Sequence, residues 1–203
     1  MIMYFTIIGI AMVIISAVNI IFEVASPIYV VIALVWSVAL QFALDGIIAL
    51  SISKLPDRWF GVNNPHFNVT KAEKKLYGRL GVRRWKDNVW ELGGLGGFSK
   101  KSLSDPRDPR YIEQFIIECN KGVLTHRLSY FIGFLAMLTL PSPAAFTIAL
   151  PAAAVNLYLN VLPTIVLRYN TPGLKSVLKR LEKKAAREAA KNDLHDFAEN
   201  VDG

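Results

Sequence analysis

The sequence predicts an all-α integral membrane protein: four transmembrane helices in two hairpins, flanking a helical polar block and followed by a basic amphipathic C-terminal helix. Three features of the chain predict this. Hydrophobic residues make up 53% of it and gather into four runs, residues 1–22, 27–52, 124–140 and 144–167. At about 1.5 Å per residue the first two can cross roughly 30 Å of hydrocarbon, and the other two come close. Charge is segregated as well: all 23 Lys and Arg residues fall within 54–127 or 168–191, and the turns at 23–26 and 141–143 carry none. By the positive-inside rule the polar block, the tail and both termini are expected on the cytoplasmic side and both tight turns outside.

These features divide the chain into a first hairpin (1–53), a polar block (54–123), a second hairpin (124–167) and a tail (168–203). The net charge of +7 accompanies membrane spans, so a lipid surface is the expected partner and nucleic acid is not. The single cysteine, Cys119, cannot form an intrachain disulfide, which fits a reducing compartment. Residues 1–22 lack a basic n-region and exceed the usual length of a signal-peptide core, so an uncleaved first span is expected.

The second span contains Gln41 and Asp45, four residues apart and therefore on one helical face. Asp45 lies about 13 Å of helical rise before Lys54, and an acid at that depth marks a candidate site unless it locks helix packing. Pro56 ends the helix, and Trp59 and Phe60 suit the headgroup level. Thr70-Lys-Ala-Glu73 is a capping box that opens a helix to about Leu80. Trp85 and Lys86 follow, in a run of interleaved cations and indoles suited to anionic headgroups or a phosphorylated cofactor. Residues 91–101, with Glu91, Gly96, Gly97, Lys100 and Lys101, can form either a phosphate cradle or a flexible turn, and they lack the spacing of a P-loop.

Asp108-Pro109 starts the next helix, with Asp as N-cap and Pro at the first helical position. Ile112, Phe115, Ile116 and Cys119 form its apolar face, and Glu118 stands beside that face. An unbroken helix puts Glu118 and His126 about 12 Å apart along its axis, too far for a direct hydrogen bond. The fourth span carries Asn156 and Asn160, and Asn160 lies about 12 Å inside Arg168. Asp45, His126 and Asn160, from three different spans, thus share one depth, and that coincidence points to a site. The tail from Leu174 sets Leu174, Val177, Leu178 and Leu181 against a basic face suited to an anionic leaflet. No metal-ligand pattern is present in the sequence.

Leu55-Pro-Asp-Arg-Trp-Phe60, Val82-Arg-Arg-Trp-Lys86, the run from Tyr111-Ile-Glu through Phe115-Ile-Ile-Glu118 to His126, and Asn160 with Arg168-Tyr169-Asn170-x-Pro172 together resemble the glycosyl-4,4'-diaponeurosporenoate acyltransferase family. The resemblance implies a bacterial cell-membrane enzyme of staphyloxanthin-type carotenoid biosynthesis that esterifies a sugar hydroxyl with a fatty acyl group from acyl-CoA. It implies His126 as general base, Glu118 in substrate binding or orientation, and Asn160 and Arg168 as oxyanion partners. The co-substrate acyl-CoA would meet Lys86, Gly96, Gly97, Lys100 and Lys101, and no tightly bound cofactor is implied. Asp45, Trp85, Glu91, Tyr169 and Asn170 are candidates to contact the acceptor. The chain departs from the family pattern at Val123 and Arg127, which leaves the acceptor open between a carotenoid glucoside and another glycolipid or glycosylated isoprenoid. Direct transfer is expected over a covalent acyl-enzyme, for which Cys119 is the alternative nucleophile. A non-catalytic membrane adaptor and a small transporter subunit are the competing classes.

Single cysteines at Ser26 and Ser142 should react with a membrane-impermeant thiol reagent from outside intact cells, and one at Ser102 only after permeabilisation. Outside labelling of the Ser102 variant would reverse the topology.

Overall fold

The computed structural model describes residues 2–89 and 105–201, with side chains described as far as Lys191. Helix α1 (Ile2–Ile21) and helix α2 (Pro27–Ser53) form the first hairpin. Two 3₁₀ turns, Asp57–Trp59 and Pro65–Phe67, then lead to α3 (Lys71–Arg79) and α4 (Val82–Trp85). Helix α5 (Pro109–Ile132) continues as a 3₁₀ segment, Gly133–Thr139, and a π segment, Ala145–Ala149, runs into α6 (Leu150–Val201). There is no strand among the described residues.

Local chemistry accounts for the helix starts. Ser26 accepts from the Tyr29 amide ahead of Pro27, Asp108 accepts from the Arg110 amide ahead of Pro109, and Thr70 and Glu73 close the expected capping box. The first hairpin turns where Glu23 adopts φ 52°. There the Glu23 amide bonds Ile20 O and the Val24 amide bonds Asn19 O, which uses up carbonyls at the end of α1 in the Schellman manner.

Three helices are long and apolar enough to cross a membrane: α1, α2 and the run Ala145–Lys191. The expected span at 124–140 is not among them, because it is α-helical only to Ile132 and its first turns carry His126 and Arg127. Large apolar side chains face outward around the bundle, among them Ile21 at 73%, Phe131 at 74% and Leu138 at 82% exposure. Such a belt is far larger than the patches a water-soluble monomer leaves bare, and it marks a membrane protein.

Helix α1 runs antiparallel to α6, and α2 antiparallel to α5. Tyr4 and Asn19 of α1 meet Leu159 of α6 and Thr147 of the π segment before it, and Trp36 of α2 donates to Thr139 beyond the end of α5. Helices α5 and α6 pack most extensively, and two glycines permit this. A Cβ at Gly122 would stand 2.9 Å from Leu167 Cδ1, and one at Gly133 would stand 2.8 Å from Asn156 Nδ2.

The core has two apolar clusters. One gathers Ile48, Ile52, Phe60, Phe67, Ile112, Phe115, Ile116 and Leu178 where the polar block meets the bundle. The other gathers Ile15, Val30, Leu34, Ile148 and Ala152 near the tight turns. Phe60, expected at the headgroup level, lies in the first cluster at 1% exposure, whereas Trp59 remains outside at 51%. Asn120 Nδ2 donates to Phe60 O at 2.8 Å and Lys121 pairs with Asp57 at 2.7 Å, so the Leu55–Phe60 motif is held on α5 by two polar contacts.

Helix α6 runs unbroken through Pro163 and Pro172, so Leu167 and Arg168, expected to divide span from tail, are consecutive residues of one helix. The tail's apolar residues Leu174 and Leu178 are buried in the first cluster, with Val177 and Leu181 packed against it. Protein, not a lipid leaflet, therefore covers the face that was expected to lie on the membrane, and this packing carries the helix past its prolines. The prolines also organise α1. Pro151 has no N–H for the Thr147 carbonyl, and Asn19 Nδ2 donates to that oxygen at 2.9 Å. Pro163 likewise leaves the Leu159 carbonyl, which Tyr4 Oη reaches at 3.4 Å.

Asn19 is fully buried and donates to both Ile15 O and Thr147 O. Asn19→Leu keeps the branched shape but leaves the Thr147 carbonyl unpaired, at a cost of about 1–2 kcal/mol. Thermal unfolding in detergent should show this loss beside a neutral Val18→Leu control. Equal melting of the two variants would show that α1 docks without this bond.

Candidate active site

The polar layer between the two apolar clusters is built around Asn160. Its Nδ2 donates to the Asn156 main-chain carbonyl at 3.1 Å, to Asn156 Oδ1 at 3.1 Å and to Asp45 Oδ2 at 3.3 Å. A backbone carbonyl can only accept, so this contact alone fixes which end of the amide is nitrogen. Asn160 Oδ1 therefore faces His126 Nδ1, 2.8 Å away, and accepts its proton. In the neutral imidazole the lone pair then resides on Nε2. Asp45, Asn160 and His126, from α2, α6 and α5, thus form one hydrogen-bonded chain.

Helical spacing explains how the chain is held. Asn156 and Asn160 lie four residues apart on α6, and His126 and Ser129 lie three apart on α5, so each pair shares a face. Thr164 Oγ donates to Asn160 O at 3.0 Å, which occupies the backbone of the same residue. Gln41 of α2, in the amide orientation that satisfies both groups, donates to Ala152 O and accepts from Ala153 N, each at 3.3 Å. Ser129 and Asn156 also face the Asp45 carboxylate, so three side chains from α5 and α6 enclose it.

These groups line a cavity of about 630 Å³ between α1, α2, α5 and α6, a volume in the range of small-molecule sites. Asp45, His126, Ser129, Asn156 and Asn160 sit partway along it. At one end are Ser53, Glu118, Lys121 and Asn170, and at the other are Ile15, Leu34 and Ala152. Cys119 also borders the cavity and belongs to the first apolar cluster.

The other sequence-selected residues are distributed differently. Glu118 borders the cavity, but its carboxylate accepts from Gln114 at 3.2 Å and Lys121 at 3.4 Å, and α5 is continuous through Gly122. The axial separation from His126 therefore stands. Arg168 is 4% exposed and is not among the cavity residues. Its Nε and Nη2 bond the two Glu73 oxygens at 2.7 and 2.8 Å, and Nη2 also bonds Asn68 O at 3.0 Å. This bidentate pair ties α3 to α6. Tyr169 is half-buried and outside the cavity lining. Trp85 Nε1 donates to Leu80 O, and Lys86 pairs with Asp87, both away from the cavity. Glu91, Gly96, Gly97, Lys100 and Lys101 lie outside the described residues. Ser129 escaped the sequence reading, although its spacing from His126 could have suggested it. The Glu73 partner of Arg168 had no local signal at all.

A family model described as glycosyl-4,4'-diaponeurosporenoate acyltransferase matches residues 56–180, more than half of the chain. The chain belongs to this family. The match takes in the docked 3₁₀ turn, α3, all of α5 and the part of α6 that carries Asn160 and Arg168. It assigns the protein to the acyltransferases of carotenoid biosynthesis, as an enzyme. Asp45 and the whole of α1 lie outside the matched residues and join the site only through the fold. No curated protein and no solved structure gave a match.

The Arg168 pair predicts an acid response. The Arg168 guanidinium, with help from the Thr70 amide and against partial burial, holds the Glu73 carboxyl at about 2 instead of its ordinary 4.5. A depressed carboxyl stabilises the fold fully above pH 4.5, and the contribution is lost as pH falls toward 2. Arg168→Met should cost about 3 kcal/mol at neutral pH and flatten that acid limb. Melting temperatures of parent and variant across this window test it, and coincident curves would show that the pair contributes nothing to stability.

Proposed function

We propose that the protein transfers a fatty acyl group from acyl-CoA to a sugar hydroxyl of a glycosylated isoprenoid, with His126 as general base. The observation that carries this reading is the Asp45–Asn160–His126 chain in the wall of a largely apolar cavity. A sugar hydroxyl is a poor nucleophile until a base takes its proton. His126 Nε2, which bears the lone pair in the tautomer that Asn160 sets, accepts that proton as the oxygen attacks the thioester carbonyl. When the tetrahedral intermediate collapses, the C–S bond breaks and the imidazolium returns the proton to the leaving thiolate. Ester and free thiol form, and no net proton is exchanged.

Asn160 acts here through His126: it orients the ring, and Asp45 and Asn156 hold the Asn160 amide in turn. Asn160 is thus a positioning residue in this reading and not an oxyanion donor, since its amide nitrogen is already committed. Arg168 serves the fold through Glu73. Transfer is direct, because Cys119, packed in the apolar cluster, stands about 10 Å of helical rise from His126, beyond hydrogen-bond reach of that base. The enzyme works in a bacterial cell membrane with both termini and the polar block inside, where acyl-CoA is found, and the block's Lys86, Lys100 and Lys101 meet its phosphates. The acceptor, a carotenoid glucoside or a related glycolipid, comes from the bilayer.

His126→Gln keeps the ring's approximate size and polarity but cannot serve as a base near neutral pH. Ester formation in isolated membranes should fall about 10²–10⁴-fold while expression and melting temperature stay near the parent. Near-parental turnover would remove His126 from the chemistry.

A further inference from the structure

The cavity continues past the polar layer into an arm whose one polar side chain, Gln41, turns its amide onto the α6 backbone at Ala152 and Ala153. Its walls are Met12 and Ile15 of α1, Leu34 and Val38 of α2, and Ala152 and Val155 of α6. The far end is closed. Ile15 is 8%, Leu34 1% and Ala152 5% exposed, and Val30, Ala33 and Ile148 are packed behind them. From Asp45 to Leu34 along α2 is about 16 Å of helical rise, and from Asn160 to Ala152 along α6 about 12 Å. An extended chain advances about 1.2 Å per bond, so the arm accepts about ten to thirteen bonds beyond His126.

At the level of the polar layer the cavity has a second side. Phe5 and Phe42 border it and are 57% and 56% exposed, and the neighbouring Gly46 is exposed as well. These residues belong to the outward-facing apolar belt, so this side opens toward lipid. The two substrates place different demands on these spaces. A fatty acyl chain is flexible and ends in a methyl group, which a blind apolar arm suits. An isoprenoid that is joined to its sugar and already embedded in the bilayer must keep its long chain in lipid, which requires a lateral opening.

We propose that the blind arm holds the acyl chain of the donor and that its floor, Ile15, Leu34 and Ala152, sets the chain length transferred. This rests on the acyl-transfer reading above and names the part of the site that selects the donor. The preferred chain has about eleven to fourteen carbons, counted from the carbonyl at His126. The acceptor enters past Phe5 and Phe42 and leaves its chain among lipids. Specificity for length then follows from displacement: a chain that is too long cannot bring its carbonyl to His126 without buckling against the floor, and one that is too short leaves apolar surface uncovered.

The test uses full-length protein in native membranes with a graded series of saturated acyl-CoA donors. Ala152→Leu raises the floor by about two bonds and should move the optimum about two carbons shorter. Leu34→Ala lowers the floor and should move it about two carbons longer, so the pair keeps the proposal testable even where one substitution folds poorly. Parental optima in both variants, while they still turn over, would overturn the assignment of the arm and leave the acyl-transfer reading intact. A change in acceptor preference with an unchanged donor optimum would also overturn it, because the arm would then hold the acceptor. Failure of the parent to transfer from any acyl-CoA would overturn the reaction itself and this proposal with it.

Discussion

The site depends on one amide. Asn160 donates from one end to its own helix and to Asp45 on α2, and accepts at the other end from His126 on α5. Three helices are thereby registered against one another. An amide buried in hydrocarbon must place both ends, and with the nitrogen held by a main-chain carbonyl the oxygen has one direction left. The imidazole tautomer follows from that direction. A shift of α5 by one turn would break the contact and also misplace Gly133, whose missing Cβ makes room for Asn156.

Around this layer the bundle is packed as an ordinary apolar core above and below, and the difference between the two halves shapes the cavity. Near the polar block the cluster is dense with Phe and Ile and receives the 3₁₀ turns and the end of α6. Near the tight turns it is built from Ala, Val and Ile, and the smaller side chains leave the arm open before the floor closes it. The cavity thus joins a polar mouth, the layer with His126, and an apolar end in one line. The acyl transfer proposed above would need the same order.

The polar block is fastened to the bundle by few but strong contacts. Arg168 and Glu73 join α6 to α3, Lys121 and Asn120 fasten the Asp57–Phe60 turn to α5, and Lys175 donates to Asn68 at 2.9 Å. In each, a group on a long bundle helix clamps a short element that has little apolar surface of its own. Asp57 shows the same economy: its bond to Lys121 holds its carboxyl below the ordinary range although half of the side chain meets solvent. The family match, from the 3₁₀ turn into α6 past Arg168, includes all of these contacts.

By itself the sequence determined what depends on neighbours in the chain. Periodicity and hydropathy gave an all-helical membrane protein, and the caps at Ser26, Thr70 and Asp108 are local hydrogen bonds that residue type dictates. Depth along each span could be counted from the basic borders, which brought Asp45, His126 and Asn160 to one level. Only the tertiary structure decided which way those side chains turn, because equal depth says nothing about the rotation of one helix against another. It also decided that Arg168 belongs to Glu73, 95 residues away in the chain. It carried α6 through Pro172, since the packing of Leu174 and Leu178 lies in contacts that no local rule contains. And it made the carbonyls that Pro151 and Pro163 leave free into docking points for Asn19 and Tyr4, because a carbonyl in hydrocarbon takes whatever donor the neighbouring helix brings.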